Sequence, residues 1–116
     1  IVFIYSIKQL KYIYLFLAVT FEVVGTLLLP TSLNFTKLIP SIGVVIFYFL
    51  SFYFLTFALE ELPIFIVYAS WSGLGIFFIT VFGYLFYEEK LNWQIILGLI
   101  LIGLGVITVN FFRFKN

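Results

Sequence analysis

The 116 residues are 65% hydrophobic and 9% charged, with a mean hydropathy of +1.27 and a net charge of +1. Soluble domains carry about 25% charged residues, so this composition excludes an ordinary water-soluble globule, and the near-neutral charge argues against a nucleic-acid partner. Cys and His are both absent, which excludes disulfides, thiolate metal sites and imidazole chemistry.

At a rise of about 1.5 Å per residue, about 20 apolar residues cross the roughly 30 Å hydrocarbon layer. Four runs meet that length and predict membrane-spanning helices over about 12–29, 38–59, 64–87 and 91–112. Together they make residues 1–116 a single four-helix transmembrane domain, all-α, with no room for a soluble one. Lys8 and Lys11 precede the first run as they would in a signal peptide. That run is long, however, holds an acid at its middle and shows no small-x-small cleavage site before Pro30, so it reads as a retained span. The chain opens on Ile1 and contains no Met, which points to a truncated start or an unusual initiation codon.

Pro30-Thr31-Ser32-Leu33-Asn34 ends the first helix, and Thr36-Lys37 leads into the second. Glu60-Glu61-Leu62-Pro63 separates the second from the third, with Pro63 placed for a first helical turn. Glu88-Glu89-Lys90-Leu91-Asn92 separates the third from the fourth, and the charges of both loops read as solvated. Connections this short force neighbouring helices to be antiparallel, an up-down bundle. Lys8, Lys11, Arg113 and Lys115 fall on the side of the termini, against Lys37 and Lys90 opposite. The imbalance favours cytoplasmic termini, by a margin small enough for both orientations to coexist. Four helices can hardly enclose and seal a substrate path alone, so a dimer is expected, with no cofactor and no metal.

Glu22 is the only charged residue inside any of the long apolar runs. An acid at the centre of a membrane helix costs roughly 2.5 to 3.5 kcal/mol, and such residues by default mark proton or ion pathways. Ala18, Gly25 and Thr26, at i−4, i+3 and i+4, share its helical face. Small residues there admit another helix or a ligand, and Thr26 can donate to the carboxylate; pure packing is the competing explanation. Tyr68 and Trp71 lie three apart inside the third run, and Tyr48 is mid-run in the second. Their rings attract organic cations by roughly 0.5 to 2 kcal/mol each, although Trp and Tyr also serve as interfacial or core packing. Gly73 and Gly75 allow a kink or a close helix contact in the third helix. Gly98 and Gly105, at heptad spacing, form a stripe suited to a dimer contact on the fourth.

These same segments resemble the small multidrug resistance transporters. The resemblance begins with Tyr12-Ile13-Tyr14-Leu15, Ala18 and Glu22-Val23-Val24-Gly25-Thr26, and continues through Phe35-Thr36-Lys37-Leu38-Ile39-Pro40-Ser41, Ser51-Phe52-Tyr53 and Pro63. It includes Tyr68-Ala69-Ser70-Trp71-Ser72-Gly73-Leu74-Gly75 and the Gly98 to Gly105 spacing, covering about 12–112. It implies an antiparallel homodimer, or a heterodimer with a paralogue, that exchanges protons for cationic substrates across the cell membrane. Glu22 matches the family's shared proton and substrate carboxylate. Tyr48, Tyr68 and Trp71 match its aromatic binding residues, and Ala18, Gly25 and Thr26 match chamber-lining positions. Gly73 and Gly75 match the helix kink, and Gly98 and Gly105 the dimer stripe. Gly25-Thr26 and Trp71-Ser72-Gly73 look more like the quaternary-ammonium branch than the guanidinium branch.

Several positions depart from the pattern: Pro30 in place of a Lys, bulky Phe65 and Val67 near the start of the third helix, Ser70 where an apolar residue is usual, and the acidic pair Glu60-Glu61. The expected function is a proton-coupled antiporter for lipophilic or quaternary ammonium cations, in a multi-pass protein of the cell membrane. The alternatives are a guanidinium or polyamine exporter and a non-transporting membrane scaffold. An enzyme is not expected, since no nucleophile–base pair or metal-ligand cluster can be assembled.

Overall fold

The computed structural model describes residues 2–113, with side chains over 10–113. Lys8 and Lys115, counted above for orientation, have side chains outside the described residues. Four helices follow in order: α1 (Val2–Leu28), which tightens into a 3-10 turn at Leu29–Ser32, α2 (Leu38–Leu59), α3 (Ile64–Tyr87) and α4 (Trp93–Phe111). Each is long and apolar enough to cross a membrane, the first over Leu10–Ser32, and no strand occurs among the described residues. The molecule is an all-α, four-span, multi-pass membrane protein.

Helix ends follow local chemistry more closely than they follow hydrophobicity. α1 begins at Val2, well before the expected position 12, because no Gly or Pro interrupts the polar approach to the apolar run. α4 starts at Trp93 instead of 91: the Asn92 side chain accepts a 2.9 Å hydrogen bond from the Ile95 amide, a helix N-cap. It ends at Phe111, one residue short of the expected 112. Pro63 stands just outside the first turn of α3, with extended ψ, and its carbonyl accepts from the Val67 amide.

The turn after α1 holds three of the four described non-glycine residues with positive φ, the other being Glu88 at the end of α3. Leu33, Asn34 and Phe35 all have positive φ, at 47°, 60° and 63°, a region that costs side-chain-bearing residues roughly 1–2 kcal/mol each. Buried Ser32 holds this turn. Its hydroxyl donates to the Leu29 carbonyl at 2.7 Å and accepts from the Phe35 amide at 3.2 Å.

α1 packs mainly on α2 and then on α3, while α4 meets α3 alone. Ser51 of α2, fully buried, donates to the Ala18 carbonyl of α1 at 2.6 Å. In lipid the tails are as apolar as the side chains, so helices associate through such close, small-residue contacts and hydrogen bonds. Leu15, Ala58, Leu62, Ile66 and Val67 form a buried cluster at the terminus-bearing end, with Val109 of α4 against it. α4 buries no residue of its own. It is attached by its second half: Val106 occupies the space a side chain at Gly73 would need, and the Asn110 amide donates to the Ser70 hydroxyl at 2.8 Å. Ser70, the polar departure in the third helix, is thereby partnered.

A Gly73→Val substitution drives a side chain into Val106, and overpacking of this kind costs about 1–3 kcal/mol. The expected result is a lower unfolding midpoint in detergent, partly restored by adding Val106→Ala; an unchanged midpoint would refute the contact.

Candidate functional site

α1 and α3 run parallel, with α2 between them in sequence, and a half-open cleft of about 290 Å³ lies where they diverge. Glu22 and Thr26 line it from α1; Trp71, Ser72, Gly75, Ile76 and Ile79 line it from α3. The α3 residues form two adjacent i, i+4 rows, 71-75-79 and 72-76, so one face of that helix supplies the wall. Gly75 faces the carboxylate: a Cβ there would stand 3.4 Å from Glu22 Oε2, at van der Waals contact.

The other carboxylate oxygen ends a chain of hydroxyls. Thr26 Oγ1 donates to Glu22 Oε1 at 2.7 Å and lies 2.7 Å from the Tyr48 hydroxyl of α2. A threonine has one hydroxyl hydrogen, so while it serves the carboxylate, Tyr48 is the donor to Thr26. Were Glu22 to carry a proton and donate it, the whole chain could reverse direction. Tyr48 reaches Thr26 because Gly25 lies under its ring; a Cβ at Gly25 would come within 2.8 Å of Tyr48 Cδ1 and Cε1.

The remaining residues singled out from the sequence are distributed around this centre. Ala18 is fully buried against α2 and Gly25 is covered by Tyr48, so neither lines the cleft; Tyr48 stands behind Thr26 as its donor. Trp71 is at the wall. Its ring is flanked by Phe52 at 5.9 Å and Tyr68 at 6.0 Å, and its indole Nε1 is buried without a hydrogen-bond partner among the described residues. Tyr68 is 66% exposed and touches the cleft only through Trp71. α3 stays α-helical through Gly73 and Gly75, and both serve close approach, to Val106 and to Glu22 respectively. Gly98 and Gly105 face open space with nothing within 4 Å of a built Cβ. Ile76 and Ile79 were not among the expected site residues. Their signal was present as the four-residue spacing from Ser72 and Gly75, although isoleucine in a membrane helix gives no reason by itself to look there.

A larger cleft of about 390 Å³ opens between Phe16, Val23, Val24 and Leu27 of α1 and Phe78, Phe82 and Phe86 of α3. The Thr20 hydroxyl at its edge is turned to the Phe16 carbonyl at 2.9 Å. With no ionisable group in its lining, that space has nothing to neutralise a charge. The Glu22 cleft, in contrast, combines one carboxylate, a hydroxyl chain, an unpartnered indole N–H and apolar walls. It can neutralise a single positive charge and surround it with ring and aliphatic surface.

Residues 10–102 match the family model described as Small Multidrug Resistance protein. The chain is 40% identical over 103 residues to the quaternary ammonium compound-resistance protein QacC of Staphylococcus aureus, covering 89% of this chain and 96% of the relative. It is 42% identical over 99 residues to the multidrug transporter EmrE of Escherichia coli, covering 85% and 90%. A similar likeness, 42% over 101 residues covering 87% and 85%, holds for the uncharacterized membrane protein YvaE of Bacillus subtilis. On a family match that spans most of its length and on full-length relatives of this identity, the chain belongs to the small multidrug resistance family.

Proposed function

We propose that the chain is a proton-coupled antiporter that exports lipophilic and quaternary ammonium cations, with Glu22 occupied in turn by a proton and by the cation. The observation that carries this reading is the position of Glu22. It is the sole charged side chain inside the apolar runs, and it faces a cleft walled by Trp71 and closed behind by Thr26 and Tyr48. A proton and a cation neutralise the same charge, so each excludes the other, and that exclusion is the coupling. An inward proton gradient then drives the cation outward as the helices alternate around a site near the midplane. The names of two relatives, a quaternary ammonium compound-resistance protein and a multidrug transporter, point the same way.

On this reading the 116 residues act as one four-helix unit, and the working form is an antiparallel dimer. Two features support it. The cleft, at about 290 Å³, is small and open on one side, whereas ligand sites commonly span about 300–1,000 Å³ and bury most of the ligand. Moreover, Gly98 and Gly105 are bare on a helix that buries no residue, a surface that suits the same stripe of a second copy.

Glu22→Gln is expected to abolish pH-driven exchange of ethidium or methyl viologen in proteoliposomes, together with substrate-induced proton release in detergent. The helices should still insert, and retained pH-driven exchange would refute the assignment. Tyr48→Phe removes the donor to Thr26; at a net 0.5–1.5 kcal/mol for a hydrogen bond, cation affinity should change by about two- to tenfold. Gly25→Ala, which displaces the same ring, should shift affinity in the same direction, and opposite effects would break the relay argument. Trp71→Leu is expected to weaken binding of a planar aromatic cation by roughly two- to thirtyfold. Tyr68→Leu should cost less, because that ring lies outside the cleft; equal losses in a binding titration would contradict this placement.

A further inference from the structure

Where α1 enters and α4 leaves the apolar layer, two cations meet one ring. Lys11 Nζ lies 5.4 Å from the centroid of Tyr12, and Arg113 Cζ lies 5.7 Å from it. Arg113 Nη1 is buried and has no hydrogen-bond partner among the described residues. α4 itself carries no acidic residue. Glu60 and Glu61 line a different cleft with Lys11, one that shares no residue with the groove at Arg113. A guanidinium withdrawn from water with a bare N–H requires an acceptor, and leaving it without one is costly.

The same residue lines an apolar groove. About 260 Å³ is enclosed by Phe65 of α3 and by Thr108, Val109, Phe112 and Arg113 at the end of α4. The Thr108 hydroxyl is used on the Leu104 carbonyl at 2.7 Å, so it brings no free donor to the groove. A slot of hydrocarbon character with an arginine in its lining, and a lysine on the same Tyr12 ring as that arginine, matches an amphiphile with an anionic head. Guanidinium geometry suits phosphate in particular.

We propose that Arg113, with Lys11, holds the phosphate of an anionic phospholipid whose acyl chain lies in the groove between α3 and α4. The lipid would brace α4 at the one end where that helix is attached, at Gly73–Val106 and Ser70–Asn110. This assignment does not depend on the transport reading, since neither Glu22 nor the α1–α3 cleft takes part.

The test is native mass spectrometry of the full chain, released from detergent that holds equimolar phosphatidylglycerol and phosphatidylcholine. Wild type is expected to retain phosphatidylglycerol preferentially, and Arg113→Gln to reduce that preference by roughly fivefold, the usual contribution of one basic residue at an anionic leaflet. Arg113→Lys, which keeps the charge, should preserve most of it. Thr108→Trp should lower lipid retention with both cations in place, by filling the slot. Lys90→Gln, on the opposite side of the membrane, should change nothing. Equal retention of the two lipids by wild type, or an undiminished preference in Arg113→Gln, would overturn the proposal. Lipid retention undisturbed by Thr108→Trp would overturn it too, since the site would then hold a headgroup without using the groove.

Discussion

A carboxylate surrounded by hydrocarbon must be met by a proton, a cation or converging donors, because an unpaired buried charge costs several kcal/mol. In this chain three helices converge on that requirement. α1 supplies Glu22 and Thr26, α2 brings the Tyr48 hydroxyl behind them, and α3 presents Gly75 opposite the acid. The hydroxyl chain satisfies one carboxylate oxygen and leaves the other directed at the cleft. The site is therefore neither fully compensated, which would leave it inert, nor isolated.

The packing that holds this arrangement relies on absent side chains. Hydrophobic burial does little to join helices that already lie in hydrocarbon, so close backbone approach and interhelical hydrogen bonds do that work. Gly25 admits the Tyr48 ring, Gly73 admits Val106, and Ser51 reaches the Ala18 carbonyl. α1, α2 and α3 share the contacts around the carboxylate, whereas α4 is joined to α3 only and carries its glycines on an open face. The division is physical: α1 and α3 line the cleft with α2 behind them, and α4 takes no part in it.

Much of the site was visible in the spacing of residues along the chain, yet the spacing did not assign each residue its place. Ala18, Gly25 and Thr26 share the helical face of Glu22, but only Thr26 reaches the cleft, since α2 covers the other two. Tyr68 and Trp71 are likewise three apart on one face, and only Trp71 forms the wall. A helical wheel shows which residues point the same way. It does not show where the next helix sits, and that neighbour decides which part of a face is lined, covered or exposed.

Composition and periodicity by themselves determined the membrane class, the four spans, the antiparallel order of neighbouring helices and the place of Glu22 as the one charge inside a span. Each of these follows from local energetics: apolar length against bilayer thickness, short loops, and the cost of a charge in oil. Tertiary structure alone decided that Tyr48 is hydrogen-bonded to Thr26, that Gly75 is the acid's counter-face on α3, and that Arg113 lies beside Tyr12 in the lining of an apolar groove. These relations join residues distant along the chain, through crossing geometry that one-dimensional periodicity does not encode.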